Sequence, residues 1–595
     1  MKERKPYLIT RALKTFMWGS IMASVSSQIA TTTDAIVVSN LIGPDAMSAI
    51  NLVLPILTIF SALMILFGMG ASVLAAKAIG RRADDTANGI FTSCVIVSAI
   101  VGSIMAIIVY VLSPWIVSML SGNHPRIYDY ALRYLQVMCV SVPFMMMAGV
   151  LENFVKTDGN PRMVMYAVIS GSILNLVLDI VFIKVFHLGV AGSAWATGAN
   201  YVVTMLLCLL HFRSAHHTLK WRWDPVNFKG YTKDTFLQGL SMAINTLLLA
   251  VSIYAINSIV LTAQGPDGLY CWSVCLQVFM IMQMVLTGIG SSIFAIGGML
   301  VGEQDMDGLS ILNRKCLIYI CSSLAVLMAV ILADPRFFGS LFGGSKENAA
   351  PFLPETLRIF SFVLIPYSII VILRATYQIL SRNKLSIFLS IVQLVLMVLV
   401  VWAFSYIKPI ALWWGFPVSA WILCSGILIY SAIMHHKDPN LRFGTLIPFK
   451  EDNPALNISV KMDTEDVKKA EKEISVFLEE EHVDSVTSKE VKVSCEELMN
   501  NIVAYAVKKK PWNHYFDLHI RCNEKEINVL LKDDGRPFNP VLKKEELQEA
   551  EKEHNHEGLR LINSVATSIN YKYLYDQNMV LLTFARPLSV GVNVN

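Results

Sequence analysis

The sequence predicts a mostly α-helical membrane protein: a twelve-transmembrane-helix, two-lobe (6+6) bundle followed by an α/β two-layer sandwich. Three observations carry that expectation. Of 595 residues, 54% are hydrophobic and 16% charged, and the mean hydropathy is +0.52, too apolar for a soluble enzyme and too long for one domain. Twelve apolar runs are each long enough to cross roughly 30 Å of hydrocarbon. After HHKDPNLRFG the composition turns abruptly to charged, alternating sequence.

The runs lie at about 13–38, 49–78, 88–120, 130–156, 163–186 and 192–212, then 236–263, 269–301, 313–334, 352–381, 385–406 and 410–434. Each is bounded by charges or by Gly/Pro breaks. Twelve spans put both ends on one side. Lys2, Arg4, Lys5, Arg11 and Lys14 precede the first span, and basic residues recur in every second loop, from Arg81 and Arg82 to Arg382 and Lys384. The positive-inside rule then places both termini in the cytoplasm of a plasma-membrane protein. The basic N-terminus precedes a run too long for a signal peptide, so the first span is retained. The halves repeat at an offset of 223 residues, which carries Pro143 onto Pro366, Asn160 onto Asn383 and Gly192 onto Gly415. The domains expected are a first lobe (1–212), an inter-lobe linker (213–235), a second lobe (236–434), a linker (435–455) and a soluble cytoplasmic domain (456–595), the lobes enclosing a central cavity suited to alternating access.

An ionisable group inside a span is costly and marks function by default. Asp34 and Asp179 are two such groups, both in the first lobe, and Asn175 lies one helical turn before Asp179, where its amide can bond the carboxyl. Two carboxylates in a low-dielectric pocket share a proton readily. The bland alternative is that each acid is structural, paired with backbone or a neighbouring helix. Interiors of the second-lobe spans carry no Asp or Glu. Met145, Met146, Met147, Phe144 and Tyr367 sit near the repeat prolines, where they pack the helices or line a pliable cavity. Ten single cysteines, mostly within apolar runs, read as small buried hydrophobes, and Cys271 and Cys275 as neither metal site nor disulfide. The scattered basic residues exclude a nucleic-acid partner.

TTTDAIVVSNLIGPDAMSAINLVLPI, KTDGNPRM and NLVLDIVFIKVFHLGVAGSAWAT resemble the corresponding segments of the MATE (multidrug and toxic compound extrusion) antiporters, and the likeness runs to about residue 434. The resemblance implies export of organic cations and other small amphipathic compounds from cell and membrane lipid, driven by H+ or Na+ entry. It implies that Asp34, Asp179 and Asn175 form the cation-coupling site. The sodium-type acids of the second lobe have no match, which favours H+. Two rivals are a lipid-linked saccharide flippase of the same superfamily, which a cavity lined by several Arg or Lys would mark and whose basic residues the spans lack, and a membrane receptor signalling through its tail.

In the tail, 464–482 and 488–509 read as helices and 515–522, 526–533, 568–575 and 578–585 as strands. Glu497 and Asn501 are one turn apart, with a second copy in Glu496 and Asn500. KDDGRPFNP forms an acidic glycine turn after a strand, and HEGLRLI opens a helix. An acid with an amide at i+4 can hold Mg2+ over a phosphate, an Asp at a glycine turn can accept the adenine amino hydrogen, and a helix-start glycine lets backbone N–H groups approach phosphate. These residues resemble the GHKL ATPase fold of the anti-sigma-factor serine kinase type. The resemblance implies Glu497 as catalytic base, Asn501 as the Mg2+ ligand, Asp533 as the adenine reader, Gly535 and Gly558 shaping an ATP pocket, and a cytoplasmic regulatory protein as partner. Pro537 departs from the second glycine of D-x-G-x-G, and Asn555–Gly558 stands where a Gly-rich lid is usual. No Walker A pattern supports ATP-driven transport of the ABC type.

Overall fold

A computed structural model of the chain describes residues 4–121, 125–214, 217–337, 352–449, 453–505, 514–541 and 557–586. Among them twelve helices are long and apolar enough to cross a membrane: α1 (Tyr7–Leu41), α2 (Pro44–Gly80), α3 (Asp84–Ser121), α4 (Pro125–Thr157), α5 (Pro161–Ile180), α6 (Val190–His211), α7 (Phe228–Gly265), α8 (Asp267–Gly302), α9 (Met306–Ala333), α10 (Leu353–Ile379), α11 (Asn383–Ser405) and α12 (Ala411–Lys437). Each expected run matches one helix. By internal contacts the chain divides into two units, Phe16–Phe449 and Met1–Thr15 with Lys450–Asn595.

Within Phe16–Phe449 local chemistry sets the helix ends. Asn160 caps α5 by accepting the Met163 N–H at 3.1 Å, with Pro161 at the first helical position. Asp305 caps α9 through the Gly308 N–H at 2.8 Å. The repeat has a structural counterpart. A Cβ on Gly192 would fall 3.0 Å from Phe182 Cβ, and one on Gly415 2.7 Å from Val401 Cα, so each glycine lets the last helix of its lobe press on the preceding segment. The lobes meet along α2. A Cβ on Gly70 would lie 2.5 Å from Thr235 O, and one on Gly239 only 1.8 Å from Leu66 O, so α2 and α7 touch backbone to backbone. Gly80 and Gly302 repeat this between α2 and α8.

Neither expected linker is free. Buried Asp158 accepts from His211 Nε2 at 2.7 Å and from the Thr218 and Leu219 N–H groups at 3.0 and 3.2 Å, while Asn88 accepts the Lys220 N–H at 2.7 Å. The start of the inter-lobe segment is therefore tied to the first lobe. Past α12, Tyr377 donates to Gly444 O at 2.7 Å, Arg442 pairs with Asp307, and Leu441 and Leu446 join a core with Leu373, Leu389 and Leu423. Residues 438–449 belong to the second lobe, where sequence reading expected part of a tether.

The tail carries a five-stranded antiparallel sheet, order β1-β2-β3-β5-β4, from β1 (Ala455–Lys461), β2 (Tyr515–Cys522), β3 (Glu526–Asp533), β4 (Ser568–Leu574) and β5 (Gln577–Ala585). Helices α13 (Thr464–Glu480), α14 (Ser485–Tyr505) and α15 (Glu557–Val565) cover one face. Period-2 alternation aims Leu456, Ile458, Val460, Phe516, Leu518, Ile520, Val529 and Leu531 at Ile474, Phe477, Leu498 and Ile562. Asp463 and Asp484 cap α13 and α14. Sequence reading missed β1. The expected segments 506–509 and 555–556 lie outside the described residues.

The N-terminal residues, assigned from sequence to the first lobe, belong with this sheet. Lys5 N–H donates to Ser459 Oγ at 3.0 Å, and Arg4 pairs with Asp517 at 3.4 Å. Gln577 Nε2 donates to Leu8 O at 2.7 Å. Tyr7 donates its hydroxyl hydrogen to Asp534 Oδ2 at 2.7 Å and lies 2.8 Å from His514 Nδ1, and Arg11 pairs with the same carboxylate.

Candidate functional site

Three first-lobe helices converge on the intramembrane acids. Asp179 occupies the last turn of α5 with no exposed surface, and Asn175 is buried one turn earlier on the same face. Directly after α5 the helix widens into a π-helical turn, Val181–Val185, closed by Phe186 N–H to Val181 O at 3.1 Å. Such turns recur at functional positions because they break the i→i+4 ladder beside a side chain. Gly189, at φ +58°, then reverses the chain, and Gly192 packs on Phe182, which brings Ser193 on the first turn of α6 into the site. Ser193 Oγ donates to Asp34 Oδ1 at 2.8 Å, and Asp179 stands within hydrogen-bonding reach of Asp34.

The donor count is uneven. Ser193 has one hydroxyl hydrogen, and Asp34 receives it. Among the described residues neither oxygen of Asp179 accepts a hydrogen bond, and Asn175 Nδ2 has no acceptor. The expected Asn175–Asp179 bond is therefore not made, although the two share a buried face. Buried polar atoms are rarely left so. A proton shared by the two carboxyl groups would satisfy both. Sequence reading missed Ser193, Tyr134 and Tyr201. Both tyrosines lie close enough to Asp34 to feel its charge, but a hydroxyl in an apolar helix carries no local signal. It also missed Glu152, a half-buried acid one turn before Lys156 on α4, and buried Arg374 on α10, which corrects the reading that the spans lack interior Arg or Lys.

In the tail, Asp533 is nearly buried. Its Oδ1 accepts from Gly535 N–H at 2.7 Å and Asn578 Nδ2 at 2.9 Å, and burial raises its carboxyl above the usual range. Asn578 is itself fixed by the Tyr571 hydroxyl at 2.7 Å. Of the two Glu/Asn copies, Glu496 and Asn500 are exposed, whereas Glu497 and Asn501 are partly buried. A Cβ on Gly558 would sit 2.0 Å from Glu497 Oε2, so α15 opens against that carboxylate because residue 558 has no side chain. A held Asp at a glycine turn and a glycine helix start beside an acid suit an adenine nucleotide. Among the described residues no cluster of three or more metal-ligating side chains occurs; Asn501 is the residue that would hold Mg2+ if a nucleotide carried it here.

Comparison with known proteins agrees with both parts. The profile described as MatE matches residues 20–181 and 241–403, once per lobe, and the histidine kinase-like ATPase domain matches 460–584. A probable multidrug resistance protein, YoeA of Bacillus subtilis (strain 168), is 22% identical over 444 residues, 72% of this chain and 94% of that protein. The multidrug export protein MepA of Staphylococcus haemolyticus (strain JCSC1435) is 24% identical over 247 residues, 41% of this chain and 54% of that protein. Among solved structures, an outward-facing multidrug resistance MATE family transporter of the MOP superfamily aligns with TM-score 0.68 at 21% identity, covering 72% of this chain and 96% of that one. A MATE in complex with MaL6 aligns with TM-score 0.67 at 22% identity over 72% and 96%. The MatE match spans more than half of the sequence, and the chain belongs to the MatE family of multidrug efflux transporters, with a histidine kinase-like ATPase domain, of GHKL type, at its C-terminal end.

Proposed function

We propose that the chain is a proton-coupled antiporter in the plasma membrane, both termini cytoplasmic, which exports amphipathic compounds as protons enter at Asp34 and Asp179. One observation carries the reading: among the described residues Asp179 is fully buried without a donor on either oxygen, beside a second carboxylate that accepts from Ser193. The missing hydrogen is the coupling proton. Its arrival neutralises the pair, and its loss leaves two like charges in low dielectric, so protonation biases the helices between arrangements. In vesicles with an imposed pH gradient, Asp34→Asn and Asp179→Asn should each abolish efflux of a cationic dye while the protein stays in the membrane. Normal efflux from both variants would overturn the assignment, and efflux driven by a sodium gradient alone would make Na+ the ion.

The tail is a nucleotide-binding regulator in this reading. Its support is the seat of Tyr7 and Arg11 on Asp534, the residue after the adenine-reading Asp533, because α1 begins at Tyr7 and carries Asp34. Efflux from vesicles loaded with or without ATP tests it. Tyr7→Phe with Arg11→Gln should remove the ATP response, and an unchanged response would sink the idea.

A further inference from the structure

Among the described residues the second lobe holds a cation without a counter-charge. Arg374, on α10, is 8% exposed. Its Nη1, with two hydrogens to share, stands within hydrogen-bonding distance of three acceptors: Asn245 Oδ1 on α7 at 2.6 Å, and Ser390 Oγ and Gln393 Oε1 on α11 at 3.0 and 3.2 Å. All three acceptors are neutral, and among the described residues no carboxylate pairs with the guanidinium. Arginine does not deprotonate in proteins, and a buried charge in a span is retained where something pairs with it.

The acceptors also orient the neighbouring cavity. A guanidinium only donates, so each carboxamide must turn its oxygen to Arg374 and its NH2 away. Gln393 lies in hydrogen-bonding reach of the Tyr367 hydroxyl. Asn245, Ser390, Gln393 and Tyr367 all line one cavity of about 50 Å³. Its polar end therefore offers N–H and O–H hydrogens with a full positive charge behind them. The same cavity is lined by an aromatic cluster: Trp272 and Phe416 stack at 4.9 Å with 15° between planes, and Phe360 stands edge-on to both, at 6.1 and 5.4 Å.

A donor-rich end backed by Arg374 repels organic cations and recognises a carboxylate. We propose that this second-lobe cavity is a binding site for amphipathic organic monoanions, the carboxylate at the Asn245, Gln393 and Tyr367 end and the apolar body against Trp272 and Phe416. The volume of about 50 Å³ exceeds the roughly 10–15 Å³ that one water needs and suits the head of such a ligand. The site shares no residue with the Asp34–Asp179 pair and does not rest on its coupling role.

The test is calorimetry on the full-length protein in detergent, with no ion gradient. 2-Naphthoate is the probe and 2-naphthamide its neutral counterpart. The carboxylate is expected to bind roughly tenfold or more tightly than the amide, the difference a charged hydrogen-bonding group makes. Gln393→Glu sets a carboxylate of the protein's own against Arg374, a change the fold should accept, and is expected to erase the preference. Arg374→Gln should do the same if it folds. Equal binding of the two ligands, no naphthoate binding at millimolar concentration, or an undiminished preference in Gln393→Glu would each overturn the proposal. Displacement of naphthoate by oleate assigns the natural ligand to the bilayer, and failure to displace assigns it to the aqueous phase.

Discussion

Gly239→Ala adds one methyl group at the tightest point between the lobes. Its Cβ would lie 1.8 Å from Leu66 O, 2.7 Å from Leu66 C and 2.9 Å from Leu66 Cα, all backbone atoms that no rotamer change can move. Ordinary contact begins near 3.4 Å, so α2 and α7 must part locally by about 1.6 Å. Overpacking of this kind costs about 1–3 kcal/mol. In an alternating-access protein the cost falls only on the state in which these helices touch, so the variant should shift the population away from it by roughly 5- to 150-fold. Gly426 on α12 is the control, since a Cβ there meets nothing within 4 Å; Gly426→Ala should be neutral or slightly stabilising through helix propensity, by up to about 1 kcal/mol. Spin labels at Arg81→Cys and Lys384→Cys report the separation by pulsed resonance. The Gly239→Ala distance distribution should broaden or move to longer values while Gly426→Ala matches the parent. Identical distributions in all three, with unchanged thermal stability, would refute the reasoning that this contact belongs to one state of a moving pair of lobes.

Asp179→Asn supplies N–H hydrogens where neither carboxylate oxygen now has a donor, so it should abolish coupled efflux yet raise the melting temperature in detergent by roughly one or two degrees; a fall of several degrees would show that the acid is structural. Asp533→Ala should weaken ATP binding by roughly 1–3 kcal/mol in calorimetry on the full chain, and absence of nucleotide heat from the unmodified protein would make the tail a protein-binding module. Burial and the Arg11 charge hold His514 below its ordinary value of 6.5. The folded tail thus prefers the neutral ring, and its contribution to stability is complete above about pH 6.5 and is lost as pH falls through the depressed folded value. Tail unfolding should become easier as pH falls below about 6.5, and His514→Gln should flatten that dependence, as hydrogen exchange across pH would reveal.

The spans and the repeat were legible because a bilayer imposes length and hydropathy on every crossing helix, and Asp34 and Asp179 stood out because charge is scarce there. Ser193 and Tyr134 were not, since hydroxyls in apolar helices look the same whether they pack or bond. Arg374 was visible in the sequence, but a single arginine does not make the several basic residues expected of a flippase cavity, and nothing local shows that it is buried. The strand at Ala455–Lys461 alternates plainly, Leu456, Ile458 and Val460 inward, yet it is short and follows directly on Pro454. The seat of Arg4 and Tyr7 on the sheet joins residues more than 500 positions apart, and no local period encodes such a pair. In the tail, spacing alone showed two Glu/Asn copies; the family resemblance singled out Glu497, and the structure adds the approach of Gly558 to that carboxylate.

The wide turn at Val181–Val185 holds one residue more than an α-helical turn would take. Its extra residue rotates everything downstream by about 100° in phase relative to a continued α-helix. Asp179 stands before this phase slip, and Gly189 and Gly192 stand after it. Deleting any one residue between Val181 and Val185 would let the ladder close in regular fashion, gaining helix regularity while swinging the entry to α6 out of alignment with Asp179. The segment is thus a single-residue insertion held in the helix, and length, more than side-chain identity, is what it must conserve to keep Ser193 facing the acids.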